Sequence, residues 1–108
     1  MKLKKPDKKS DRELWNLMAE KIFRGDYVFV KHAIQRLTDR NINDIDVLDI
    51  LENKEGRRRK RNKRKDTYMT GMQDWKYCIE GNDVDGHKIR IIITFDVELL
   101  LVITVIRI

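Results

Sequence analysis

The sequence predicts an α+β fold in which N-terminal helices pack on one face of a C-terminal antiparallel β-meander. Three observations predict it. Apolar residues recur at helical spacing as far as residue 52, strict alternation takes over from Trp75, and a highly charged stretch without periodicity separates the two halves. A chain of 108 residues buries about two-thirds of its extended surface, enough for one two-layer core.

Residues 1–9 mix Lys with Pro6 and Asp7 and show no period, so they are expected as a disordered basic leader ahead of one domain over 10–108. "SDRE" at 10–13 has the capping-box pattern, in which Ser10 caps the amide of Glu13 and Glu13 reaches back. Leu14, Leu17, Met18 and Ile22, with Trp15 beside them, form an apolar stripe, and Gly25 supplies a left-handed stop, which predicts a helix over 11–24. "DYVFV" at 26–30 is β-branched and aromatic and reads as a short strand. A second helix over 31–40 buries Ala33, Ile34 and Leu37 and turns His32, Gln35, Arg36 and Asp39 outward. Asn41 suits its C-terminal turn. Asn43 then caps a third helix over 44–52, with Asp44 and Asp46 at its start and Ile45, Leu48 and Leu51 inward.

After Gly56 comes "RRRKRNKRK" at 57–65, where like charges repel and a mobile basic loop over 54–66 is expected. An additional strand is expected over Thr67–Met72. Trp75, Tyr77 and Ile79 then alternate with Lys76, Cys78 and Glu80, and "GNDVDG" at 81–86 supplies turn chemistry. Ile89, Ile91, Ile93 and Phe95 alternate with Lys88, Arg90, Ile92 and Thr94. Beyond a turn at 96–98, residues 99–108 are apolar on both faces, as a central strand requires. If the Trp75 and Ile89 face packs on the helices, Lys76, Lys88 and Arg90 line the open face of the sheet.

The net charge of +6 sits in one place: residues 57–65 hold eight of the 24 basic side chains, and the rest of the chain carries 16 basic against 18 acidic. Such a belt attracts polyanions, whether nucleic acid, anionic membrane or an acidic protein, and does not choose among them. The single cysteine, Cys78, excludes an internal disulfide and fits a reducing compartment. The lysine-rich start has no apolar run behind it and is no secretory signal, and the stretch from Leu99 to Ile106 is half the length that spans a bilayer. A soluble cytoplasmic protein without a membrane partner is expected.

One cysteine and two histidines in no ligand spacing give no support for zinc, and "DVDG" at 83–86 lacks the other ligands and the closing Glu of a calcium loop. No metal and no cofactor are expected. There is no phosphate-cradling glycine loop and no Ser–His–Asp set. In the belt, Arg57, Arg58, Arg59, Lys60, Arg61, Lys63, Arg64 and Lys65 are candidate phosphate contacts, salt-sensitive and blind to base sequence; the competing reading is a solvated loop, or in a eukaryote a nuclear-import signal. "HAIQRLTDR" at 32–40 stacks His32, Arg36 and Arg40 roughly along one side of its helix. That spacing fits a working face, but a polar helix face is usually just solvated.

The stretch "HAIQRLTDRNINDIDVLDIL" resembles the His-Ala-x-x-Arg-[Leu/Met]-x-x-Arg signature of a small domain-of-unknown-function family counted among the RelE/BrnT-like toxins. "WKYCIEGNDVDGHKIRIIITF" and "LLLVITVI" are similar to that family's second half, so the resemblance covers residues 27–108. "YMTGMQDWKY" at 68–77 carries a weaker likeness to MqsR-type toxins. The resemblance implies a RelE-like fold and a toxin of a bacterial type II toxin–antitoxin system. It also implies RNA binding, with mRNA (on the ribosome or free) cleaved without metal and an acidic antitoxin as partner. Such cleavage needs help for the 2′-hydroxyl, stabilisation of the phosphorane and a proton for the leaving oxygen. His32 is the candidate for proton transfer and Arg36 and Arg40 for holding phosphate, these three by motif. Lys76 and Arg90 complete the candidate catalytic set from strand parity, as stabilisers of developing charge. Tyr68 and Tyr77 are further candidates as proton partners, although Tyr77 shares parity with the core side. The alternative is a non-catalytic nucleic-acid-binding or protein-interaction domain in which His32 is structural.

Overall fold

Local signals set the helices. In the computed structural model, which describes residues 5–54, 56 and 58–108, helix α1 spans Asp11–Arg24. Its capping box is complete: the Glu13 amide donates to Ser10 Oγ at 3.2 Å and the Ser10 amide donates to Glu13 Oε1 at 3.2 Å. Gly25 ends the helix at φ 75°, where a side chain would be strained. Helix α2, Lys31–Arg40, stops at Asn41, and helix α3, Asp44–Glu52, starts on an Asn43 side chain that accepts from the Ile45 amide at 2.9 Å.

The five strands are β1 (Tyr27–Phe29), β2 (Arg59–Arg61), β3 (Tyr77–Asn82), β4 (Lys88–Phe95) and β5 (Leu100–Arg107). They form one sheet in the order β1-β5-β4-β3-β2. The β3–β4–β5 part is the expected antiparallel meander, but the sheet as a whole is mixed, because β1 pairs parallel with β5. The backbone explains the pairing: Leu100 donates to the Asp26 carbonyl at 3.0 Å and Val30 to the Val102 carbonyl at 3.1 Å, so β1 fills the edge that β5 would otherwise leave open. A bulge between Ile92 and Ile93 sets Thr104 and Val102 opposite neighbouring β4 residues, and the extra residue lets Val102 and Val105 both face the core.

The core lies between α1, α3 and one face of the sheet, with Leu14, Met18, Val47, Ile79, Ile91 and Val102 all fully buried. A Cβ on Gly81 would stand 2.8 Å from Ile50 Cγ2, so the bare glycine is what lets α3 settle on β3. Two helices sit rotated from expectation. Ala33, not Ile34, is the buried residue of α2, and its small side chain lets α2 lie close on β5, leaving Ile34 exposed. In α3 the inward residues are Val47, Ile50 and Leu51, and Ile45 points to solvent.

Two expected β-region features differ. The strand expected over Thr67–Met72 reduces to a single bridge between Thr67 and Lys76, because the chain turns back at once, Met72 bonding to the Met69 carbonyl and Gly71 taking φ 91°. The segment expected as a basic loop instead carries β2 and a 3-10 turn over Lys63–Lys65. Among the described residues no helix is long and apolar enough to cross a membrane. Residues 5–9 run ahead of α1 along the start of β3, where the Trp75 indole N–H donates to the Pro6 carbonyl at 2.9 Å.

Candidate nucleic-acid interface

Strand alternation divides the basic run into two sets. Arg59 and Arg61 turn toward the helices and Lys60 turns away, as successive residues of a strand must. Arg59 Nη1 donates to the Ile50 and Leu51 carbonyls at 2.8 and 2.6 Å, closing the last turn of α3, and its guanidinium lies 4.3 Å from the Trp15 ring centre. Arg61 is sealed in, its side chain 1% exposed. It pairs with Asp66 and with Asp11 at 3.0 Å each and sits over the Tyr77 ring. Lys63 joins Asp11 at 3.3 Å. Arg59 and Arg61, expected as phosphate contacts, are therefore committed to the fold.

The outward set converges on Glu80. Lys60, Glu80 and Arg90 lie directly opposite one another across β2, β3 and β4. Arg90 Nε donates to Glu80 Oε2 at 3.0 Å, Asn62 donates to the same oxygen at 3.1 Å, and Lys60 and Lys88 stand 3.6 and 3.8 Å from Oε1. Glu80 is 3% exposed; its burial pushes the pKa up, but the bonds from Asn62 and Arg90 and the charges of Arg90 and Lys60 outweigh that, so the carboxyl titrates below its ordinary value. Beside it opens a groove of about 610 Å³ lined by Arg58, Lys60, Glu80, Gly81 and Lys88. Arg58, Arg64 and Lys65 are exposed and carry no ion pair among the described residues. Arg57 lies outside the described residues. The groove thus gathers Arg58, Lys60 and Lys88 beside one carboxylate, which Arg90 holds from outside the lining, a surplus of positive charge facing water.

The α2 residues stand elsewhere. His32 and Arg40 are exposed, and Arg36 Nε donates to His32 Nε2 at 3.4 Å, which uses that ring nitrogen as an acceptor. Lys76 and Arg90 alternate with Tyr77, Ile89 and Ile91 and so project from the sheet face turned away from the core. Among the described residues no hydrogen bond or ion pair links His32 or Arg36 to Lys76 or Arg90. The structure brings His32 to Arg36, and Arg90 to Lys60 and Lys88, as two separate groups. Of the tyrosines, Tyr68 donates its hydroxyl to the Met72 carbonyl at 3.2 Å. Tyr77 donates to Asp74 at 2.7 Å, and burial, reinforced by that bond, pushes its pKa well up, so it keeps its proton. Burial also pushes the Cys78 thiol up to about 11, which leaves it protonated and inert.

A third cluster grows from the hairpin turn. Asp83, Asp85 and His87 hold potential metal-ligand atoms within 4.8 Å of one another. Asp83 Oδ1 accepts from the Asp85 and His87 amides at 2.9 and 2.8 Å, which is the arrangement of an Asx turn. Burial raises the Asp83 pKa, the two amides outweigh it, and the carboxyl stays below its ordinary range. Sequence reading that stopped at "DVDG" missed His87, one residue further on. It also missed Glu80 as the point where cations meet. The Glu80–Arg90 pair follows from the hairpin register, but nothing local announces the Lys60–Glu80 pair across the loop between β2 and β3.

Fold and groove together define the class: a small α+β domain with a mixed sheet and a cationic groove along the β2–β3–β4 side. The chain belongs to the family described as Domain of unknown function (DUF4258), whose model matches residues 29–107. Helix α1 and residues 5–10 lie outside the matched segment, although Leu14, Met18 and Ile22 complete the core. No curated protein and no solved structure matches the chain.

Proposed function

We propose that this protein binds RNA through its phosphodiester backbone along the groove beside Glu80, as the toxin of a bacterial type II toxin–antitoxin pair. The observation that carries the reading is the convergence of Arg58, Lys60 and Lys88 on one open groove whose single carboxylate is already held by Arg90. Each phosphate these cations neutralise releases a counterion, so three contacts predict a slope of about −2 in log affinity against log salt for single-stranded RNA. Such contacts hold a backbone and do not read bases. An acidic antitoxin is the partner this charge calls for, and an acidic open reading frame beside the gene supports it.

The stronger form of the reading is metal-independent mRNA cleavage. Here His32 moves a proton, and Arg36, held against it, steadies the phosphate. Lys76 and Arg90 belong to the binding surface in this account. The weaker form, binding alone, leaves His32 structural. Binding is tested by titrating labelled single-stranded RNA at several salt concentrations with the parent and with Lys60→Ala/Lys88→Ala. Equal affinity and equal salt slope in the two proteins would remove the groove from the account. Cleavage is tested on mRNA with and without ribosomes, and His32→Ala must abolish it while sparing binding.

A further inference from the structure

A pair of aromatic rings, Tyr68 and Trp75, meets at 5.7 Å between centres beside the start of β3, outside both the groove and the α2 pair. Both rings are half-buried, and what covers them is the chain's own residues 5–9. Lys5 places its ammonium 4.3 Å from the Trp75 ring centre and 5.5 Å from that of Tyr68, and Lys8 stands 4.7 Å from Trp75. The strap is then tied at its rim. The Trp75 indole donates to the Pro6 carbonyl, the Lys9 amide donates to the Tyr77 hydroxyl at 3.1 Å, Lys9 pairs with Asp74 at 3.0 Å, and Lys8 with Asp66 at 3.6 Å.

With Lys9 also over the Phe95 ring at 5.5 Å and Lys8 donating to the Lys63 carbonyl at 3.4 Å, every tie is of a weak kind: single ammonium-over-ring contacts, part-exposed ion pairs and three hydrogen bonds, made by a segment with no helix or strand of its own. Taking the strap away leaves the acids partnered, since Asp66 keeps Arg61 and Asp74 keeps the Tyr77 hydroxyl and the Trp75 amide. The two rings stay side by side, the Thr67–Lys76 bridge holding their two segments together. Two adjacent rings are an element with which proteins hold unpaired bases, because any base can stack on an aromatic face.

We infer that Tyr68 and Trp75 form a stacking platform for unpaired nucleobases, masked by residues 5–9, which must lift for the RNA to engage it. The inference rests on the RNA-binding reading and adds to it a preference for single strands and a gate on that preference. Residues 2–9 carry five lysines, so their removal has two opposite expected effects. Loss of positive charge alone weakens RNA binding; unmasking the rings strengthens it.

The test compares the full chain with a chain lacking residues 2–9, which keeps the Ser10 cap of α1. The probes are a uridine-rich single-stranded octamer and an RNA duplex of the same length. The expected result is severalfold tighter binding of the single strand by the shortened chain, with no gain on the duplex, and loss of that gain when Trp75→Leu is added. Full-length Lys5→Gln/Lys8→Gln, which loosens the strap without shortening the chain, must move affinity in the same direction. Weaker or unchanged binding of the single strand by both variants, or an equal gain on the duplex, overturns the masked platform while leaving groove binding intact. No binding of either probe by the full chain or by the variants removes the RNA reading and the platform together.

Discussion

Arg61 and Lys60 are neighbours in one strand, equal in charge, and opposite in use. Arg61 is closed off between Asp66, Asp11 and the Tyr77 ring, whereas Lys60 reaches into water with only a 3.6 Å link to Glu80. Arg59 repeats the first pattern and Arg58 the second. A run of cations that reads as uniform is thus sorted, residue by residue, by the two-residue period of a strand. The charge available to a polyanion is what remains after the fold has taken its share.

The largest break in that comparison comes from Arg61→Ala. It leaves the fully buried Asp66 carboxylate with only the Cys78 amide at 2.9 Å and Lys8 at 3.6 Å, and a buried pair broken on one side costs about 3–5 kcal/mol. Urea unfolding of the variant should show a midpoint far below the parent's, and an unchanged midpoint would mean that Lys8 and the Cys78 amide alone satisfy Asp66. Arg59→Ala is expected to cost less, about 2 kcal/mol, from two lost carbonyl bonds and the Trp15 contact. The same urea titration ranks the two, and the order Arg61 above Arg59 is part of the prediction.

Glu80 gives a smaller effect that depends on pH. Its carboxyl titrates below its ordinary value of 4.5 because of its bonds to Asn62 and Arg90 and the nearby cations. A depressed carboxylate contributes stability that is fully present above the unfolded-state pKa and is lost as pH falls through the folded-state value. Melting temperature should therefore drop below pH 4.5, and Glu80→Gln should show a shallower drop over that acid window. Parallel curves for the two proteins would mean that other carboxylates, Asp11 and Asp83 among them, carry the acid response. Smallest for stability is Lys60→Ala, within about 0.5 kcal/mol of the parent. Its mark is on binding: weaker RNA affinity and a salt slope shallower by about one contact. A Lys60→Ala protein as unstable as Arg61→Ala would erase the division between the two sets.

The helices were legible because their signals are local. Ser10, Glu13 and Gly25 bound α1 within its own sequence, and Asn43 caps α3 within two residues. The meander was legible from alternation. What could not be read were contacts made across long loops: β1 finding β5, β2 finding β3, and the leader lying on Trp75. Each depends on register between segments far apart, and no spacing within either segment encodes it. The candidate site divides the same way. The His32–Arg36 link follows from an i, i+4 helical spacing, but the meeting of Lys60, Lys88 and Arg90 at Glu80 needed the assembled sheet.

Strand β5 follows every other described element in the chain, yet it lies between β1 and β4. As the polypeptide emerges from the ribosome, β1 and the meander's first two strands have no partner between them until residues 100–107 arrive. Until then the edges of β1 and β4 that β5 pairs with stay open. Folding thus waits for residues 100–107, because the sheet is joined by a pairing between residues 27–29 and 100–102, a contact of high sequence separation that slows folding. A chain that stalls short of β5 exposes apolar strand edges and is a natural target for chaperones and proteases.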